Sequence, residues 1–142
     1  MKISLACDHA GYKYKRFIKE YLEKKGFVVI DHGTFSSESV DYPDYIKLAA
    51  KDVSDHKSDL GVGICGTGIG VSIVANKFKG VRAALVVDEK MAELSKSHNN
   101  ANFLALGARL MDEQTIAKIL DVWLSTNFAG GRHEQRVNKI EE

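Results

Sequence analysis

Leu60-Gly61-Val62-Gly63-Ile64-Cys65-Gly66-Thr67-Gly68-Ile69-Gly70 is an apolar run that opens into a glycine-dense loop holding one cysteine. Val71, Ile73, Val74 and Ala75 follow it with helical character. The spacing predicts a strand over Leu60 to Ile64, a turn, and then a helix. Glycines let a backbone approach an anion closely and turn its N–H groups inward. A thiol among such amides, near a helix N-terminus, has its thiolate form favoured and becomes a usable base or nucleophile. An anion cradle and a tunable thiol in one loop point to an active site; the competing reading is a tight turn whose glycines serve packing alone.

Two familiar phosphate-binding patterns do not fit. Gly61, Gly63 and Gly66 match G-x-G-x-x-G literally, but the first two lie inside the strand, whereas the dinucleotide pattern places its glycines at the strand-to-helix turn. A Walker loop needs Gly-Lys-Ser/Thr, and no lysine occurs in the loop before Lys77. The loop is therefore expected to bind an anion or oxyanion that is not a nucleotide.

Working outward, strand and helix patterns alternate. Lys2 to Cys7 reads as the first strand. Tyr14, Phe17, Ile18, Tyr21 and Leu22 share one helical face, closed by Lys24, Lys25 and Gly26. Phe27 to Ile30 is the second strand, and Pro43 suits the first turn of a helix through Ile46, Ala49, Ala50 and Val53. Val81 to Val87 reads as a fourth strand, after which Asp88 caps a helix containing Met91, Ala92, Leu94 and Ser95. Phe103 to Leu106 is the fifth strand. Asp112 caps a long helix with Ile116, Ile119, Leu120, Trp123 and Leu124 on one stripe. Strands apolar on both faces and alternating with helices predict an open, doubly wound, Rossmann-like α/β domain with five parallel strands and helices on both faces. Ligands of such sheets sit outside the carboxyl ends of the strands. Asp8-His9, Cys65-Gly66-Thr67 and Arg109 all follow strands, along that same edge.

The 142 residues are expected to form one domain, 1–142, large enough for a core without staples. A net charge of +1 gives no field that favours nucleic acid, and no apolar run approaches a membrane span. Two cysteines without a signal-peptide pattern read as free thiols of a reducing cytoplasm. Asp8, His9, Cys65 and His98 are residue types that bind zinc, but their spacing matches no ligand motif, so no metal site is assigned.

Asp8 serves equally as a helix cap or as a functional carboxylate; His9 beside it could bind phosphate or move protons. His98 reads as an acid/base with Asn99 orienting, or as a helix C-cap. Arg132 and Arg136, four apart, project from one helical face and suit a phosphate dianion, or belong to a solvated C-terminal helix. Cys7 reads as structural, although a Cys7–Cys65 redox pair across adjacent strands is a further possibility.

Cys7-Asp8-His9-Ala10-Gly11, Gly33 to Glu38 with Asp41 to Pro43, Ile64 to Gly70, Asn76-Lys77-Phe78, Ser97-His98-Asn99, and Gly130 to His133 with Arg136 occur in order across the whole chain. In this the sequence resembles the type B ribose-5-phosphate isomerases, of the sugar-phosphate isomerase family that also contains galactose-6-phosphate isomerase subunits. In the galactose-6-phosphate relatives the cysteine loop is altered, so Cys65-Gly66-Thr67 favours the pentose enzyme. The resemblance implies an aldose–ketose isomerase of the pentose phosphate pathway, interconverting D-ribose 5-phosphate and D-ribulose 5-phosphate through an enediolate without a metal or organic cofactor. It further implies a homodimer, or a dimer of dimers, with active sites shared between subunits. Under it Cys65 is the base, and the amides of Gly66, Thr67, Gly68, Ile69 and Gly70 cradle the oxyanion. Thr67 shuttles a hydroxyl proton. His98 opens the sugar ring with Asp8 assisting and Asn99 orienting. His9, Arg109, Arg132 and Arg136 hold the phosphate, the last two on a C-terminal segment, 128–142, and Tyr42 lines the sugar site. Allose 6-phosphate is a second candidate substrate. The runner-up reading is a sugar-phosphate-binding module without catalysis.

Overall fold

Five parallel strands, β1 (Lys2–Cys7), β2 (Val28–Asp31), β3 (Leu60–Cys65), β4 (Ala83–Leu85) and β5 (Phe103–Gly107), lie in the order β2-β1-β3-β5-β4 in the computed structural model, which describes residues 1–142. Six helices accompany them: α1 (Tyr12–Lys24), α2 (Tyr42–Ser54), α3 (Ile69–Ala75), α4 (Glu89–Ser97), α5 (Glu113–Ser125) and α6 (Arg132–Ile140). The expected doubly wound α/β fold is what the chain adopts. No helix is long and apolar enough to cross a membrane.

The alternation of side chains along a strand explains the two faces. Leu60, Val62 and Ile64 of β3 join Ile3, Leu5 and Cys7 of β1, and Leu104 and Leu106 of β5, against α1, α4 and α5. Ala6, Cys65, Phe103 and Ala105 look the other way, onto α2 and α3. On that second face β3 carries only Gly61, Gly63 and Cys65, so α2 and α3 sit close to the sheet. A Cβ on Gly63 would lie 2.6 Å from Val71 Cγ1 and 3.0 Å from Ile46 Cδ1. The register pairs Cys7 with Ile64 and Cys65 with Gly107, so β1, β3 and β5 end level with one another.

One element is shorter than its sequence pattern. The Val81–Val87 run forms a strand only over Ala83–Leu85. Side chains take the backbone amides on entry: Asn102 Oδ1 accepts from Arg82 N at 2.7 Å and Asn76 Oδ1 from Ala83 N at 2.8 Å. Asp8 caps a single 3₁₀ turn, His9–Gly11, before α1; its Oδ1 accepts from the amides of Ala10 and Gly11.

Helix α2 is pinned to the sheet by a polar cluster. Asp52 Oδ2 accepts from Ser4 Oγ at 2.8 Å and pairs with His32 Nε2 at 2.6 Å, while Ser4 and Ser58 share a 2.6 Å bond. Burial by itself would raise the pKa of Asp52, but the hydrogen bonds from His32 and Ser4, with the His32 charge, outweigh it and hold the carboxyl below its ordinary 3.8.

Two outcomes follow from this packing. Gly63→Ala should lower stability by about 1–3 kcal/mol, read as a drop in denaturant midpoint, because neither Val71 nor Ile46 can retreat in a filled interface. Because the folded pKa of Asp52 is depressed, its stabilisation is complete above the unfolded value of 3.8 and is lost as pH falls through the folded one. The acid side of the stability–pH curve should therefore flatten in Asp52→Asn, measured by thermal melts across that range.

Candidate active site

The level ends of β1, β3 and β5 build the first half of the site. Asp8 N donates to Ile64 O at 3.2 Å, Ala108 N to Cys65 O at 2.8 Å and Arg109 N to Gly66 O at 2.9 Å, which locks the three strand ends together. Between them the Cys65 loop turns through Gly68, whose φ of +80° is open to glycine and strained for other residues. That turn swings the Gly68 amide back onto Cys65 Sγ at 3.2 Å. The Ile69 amide goes to Thr67 Oγ1 at 3.2 Å, so the Thr67 hydroxyl accepts there and keeps its own proton for another partner. No protein acceptor takes the amides of Gly66 and Thr67. Two unclaimed N–H groups beside a thiol are what an oxyanion requires.

Charged and aromatic groups close around this loop. The Arg109 guanidinium lies over Gly66, where a Cβ would come within 2.9 Å of its Nη1. Tyr42, at the start of α2, packs its ring on Gly70, where a Cβ would meet it at 2.5 Å. His9 Nδ1 accepts from Val40 N at 3.1 Å, which puts the proton of the neutral ring on Nε2 and makes that nitrogen a donor. Asp8 is buried, and both its capping and its position beside Ile64 are realised in one side chain. Cys65 itself is only 6% exposed.

The second group of expected residues lies at the opposite, amino-terminal edge of the sheet. Helix α4 runs back from β4 and ends there, with His98 as its C-cap. Ala129 N donates to Ser97 O at 2.9 Å and Arg82 pairs with Glu141 at 2.7 Å, and these contacts hold α6 beside that end. The His133 ring stacks on His98 with centroids 4.1 Å apart and 15° between planes. Burial, then the neighbouring His98, Arg132 and Arg136 charges, keep the His133 pKa below its ordinary value. Arg132 and Arg136 are exposed on α6, and Asn99 is exposed beside His98. The length of β5, on the order of 13 Å for its five residues, separates this group from Cys65. Within one chain, then, Cys65, Thr67, Gly66 to Gly70, Asp8, His9, Tyr42 and Arg109 come together, and His98, Asn99, Arg132 and Arg136 form a separate group. The sequence reading missed His133; its place one residue from Arg132, on the inward face with buried Val137, was the available sign.

Cys7 belongs to neither group. It faces the α1/α5 side of the sheet while Cys65 faces α2 and α3, so the conceivable Cys7–Cys65 redox pair is ruled out by the pleat, and both thiols are free. Burial pushes the Cys7 thiol up to about 12. No three His, Cys, Asp or Glu side chains gather as a potential metal-holding group.

A parallel α/β sheet that brings a thiol, a carboxylate, an imidazole, a guanidinium and free amides to one edge defines an enzyme for small anionic substrates. A sequence profile of the Ribose/Galactose Isomerase family matches residues 3–140, and the chain belongs to that family of isomerases. It is 45% identical over 139 residues to the Escherichia coli ribose-5-phosphate isomerase B, covering 98% of this chain and 93% of that protein. The structure of Clostridium thermocellum ribose-5-phosphate isomerase B superposes with a TM-score of 0.97 at 49% identity, over 99% of this chain and 95% of that one. The Mycoplasma genitalium ribose-5-phosphate isomerase B, solved with bound ribulose 5-phosphate, gives 0.96 at 46% identity, over 99% and 93% of the two chains.

The contrast between the cysteines is directly measurable. A small alkylating reagent applied to the native protein near neutral pH should modify Cys65 and leave Cys7 untouched, with both labelled after unfolding, as read by peptide mass spectrometry.

Proposed function

We propose that the chain interconverts ribose 5-phosphate and ribulose 5-phosphate, working as a homodimer in which the carboxyl edge of one copy faces the amino edge of the other. The observation that carries this reading is the separation of the site residues into two groups at opposite ends of one sheet. The base and oxyanion donors are at one end, and the acid and paired guanidinium groups at the other. A second copy reunites them. Ile69 and Ile73, 52% and 57% exposed on α3 beside the cradle, offer an apolar stripe for that copy to cover. Residues 1–142 act as one domain, with segment 128–142 as its phosphate arm. Free thiols at Cys7 and Cys65 fit an enzyme of the reducing cytoplasm.

In this reading the phosphate is held by Arg132 and Arg136 of one copy with His9 Nε2 and Arg109 of the other, and that grip fixes the reacting carbons. His98, oriented by Asn99, gives a proton to the ring oxygen as the C1–O bond breaks with its electron pair going to that oxygen. The anomeric hydroxyl proton passes to Asp8, and C1 becomes a carbonyl. The Cys65 thiolate then takes the C2 proton. The released pair forms the C1–C2 double bond, and the carbonyl oxygen becomes an oxyanion against the Gly66 and Thr67 amides. Thr67 relays the O2 hydroxyl proton to O1, Cys65 returns its proton to C1, and the ketose results. Tyr42 walls the sugar. One base on one face suffices for both carbons, and the amides supply the charge stabilisation, so the reaction is proposed without a cofactor.

Cys65→Ala should lower kcat about 10²–10⁴-fold while sugar-phosphate binding persists, and Arg132→Ala should raise KM roughly tenfold or more. Mixing these two defective variants should restore about a quarter of the sites, since half the dimers would be mixed and each would hold one intact site. No recovery on mixing would place both groups in one chain and overturn the shared-site reading. Binding of ribose 5-phosphate by the unaltered protein without turnover would favour the non-catalytic module instead. A panel that includes allose 6-phosphate, run with and without chelator, should show pentose turnover unaffected by the chelator.

A further inference from the structure

Two imidazoles, those of His98 and His133, stacked with centroids 4.1 Å apart repel one another if both are protonated, so a proton on one ring opposes a proton on the other. Charges reach His133 from two elements. Helix α4 contributes His98, and α6 contributes Arg132 and Arg136. Lys96 of α4 is turned away, its Nζ 4.7 Å from the centroid of the Trp123 ring, and Glu134 of α6 is exposed to solvent. His133 therefore sits against two guanidinium groups that oppose its protonation. A phosphate dianion on those groups would cancel their opposition.

We propose that His133 is a positioning residue that couples phosphate capture to proton supply: its ring holds His98 flat, and a dianion docked on Arg132 and Arg136 loads the imidazole pair with the proton that His98 delivers to the sugar ring oxygen. The proton comes from solvent on docking. It leaves for the ring oxygen as the C1–O bond breaks, and the anomeric hydroxyl gives up its own proton to the opposing base, so charge is conserved in the step. Sign and geometry agree: burial, His98 and the two arginines depress the free His133, and anion binding acts in the opposite direction. A substrate lacking the phosphate would then be poorly held and would also forgo that proton loading. This inference rests on the phosphate and ring-opening roles given above.

The test is side-chain ¹⁵N NMR of the intact protein, titrated over about pH 5 to 9, with and without inorganic phosphate. Phosphate should move the midpoint of the pair upward by about 0.5 to 1 pH unit. His133→Phe keeps a flat stacking ring without a proton. It should leave KM within about twofold, since both arginines remain, and lower kcat roughly fivefold above neutrality. In the same variant the alkaline limb of kcat should fall back to that of kcat/KM, because substrate binding would no longer raise the acid's proton affinity. Phosphate that perturbs the Arg132 and Arg136 resonances without moving the pair would overturn the coupling and leave the phosphate site standing. Wild-type separation of the two limbs in His133→Phe would do the same. Absence of any phosphate effect at the arginines would remove both.

Discussion

The structure depends on how close α2 and α3 can come to one face of β3. Gly61 and Gly63 leave no side chain there, and Phe103 of β5, with Ile46 and Val71 from the helices, occupies the space. The opposite face of the same strand carries Leu60, Val62 and Ile64, which join the larger of the two cores. A strand with large residues on one side and almost nothing on the other sits off-centre between its two helical layers. Its C-terminal residue, Cys65, emerges on the thin side. That asymmetry sets the cysteine where the first turn of α3 and the Tyr42 end of α2 converge. The thiol's partner, the Gly68 amide, and the position of the Arg109 guanidinium above Gly66 follow from where the strand ends. Close packing of this kind leaves little tolerance, since interiors at crystal-like density transmit a displaced methyl group to their neighbours.

Parallel topology has a second effect. Every helix that leaves the carboxyl edge must return to the amino edge, so residues at helix starts and residues at helix ends are kept apart by the sheet itself. Tyr42 and Thr67 belong to starts; His98 belongs to an end, and α6 is fastened beside it through Ser97–Ala129 and Arg82–Glu141. A protein that needs both sets in one place must bend a long arm around the sheet or use two copies. The arm is short and tied down here. Under the two-copy arrangement proposed above, each site would take its walls from two copies of the chain.

Much of this was legible in the chain. The alternation of apolar runs and amphipathic stripes was enough for a doubly wound sheet, and the caps at Asp8, Asp88 and Asp112 lie where their residue types suggested. The Val81–Val87 run misled because apolar composition does not reveal whether amides are met by a neighbouring strand or by Asn76 and Asn102 side chains. The buried ion pair of Lys15 with Asp31 and the Asp52–His32–Ser4 cluster left no trace either, since each joins residues far apart in sequence. The carboxyl-edge residues were legible because strand order delivers them to one line. Their separation from His98 was legible in part, since a helix C-cap in a parallel α/β fold falls at the amino edge of the sheet, but the fastening of α6 beside it was not, because Ser97–Ala129 and Arg82–Glu141 join residues far apart in sequence. His133 was passed over for lack of any partner in the sequence, and its partner is the ring of His98.

The sheet is closed to growth at both margins. Its outer strands, β2 and β4, hold four and three residues, too few to template a new strand along their length, and the entry to β4 is occupied by the asparagine side chains that bind Arg82 and Ala83. Association by ladder extension, the route by which parallel sheets run on into fibres, is thereby disfavoured at either flank. Copies of this chain are left to meet through helical faces and loops, where shape and charge, unlike a repeating backbone, can specify a single partner and a finite assembly.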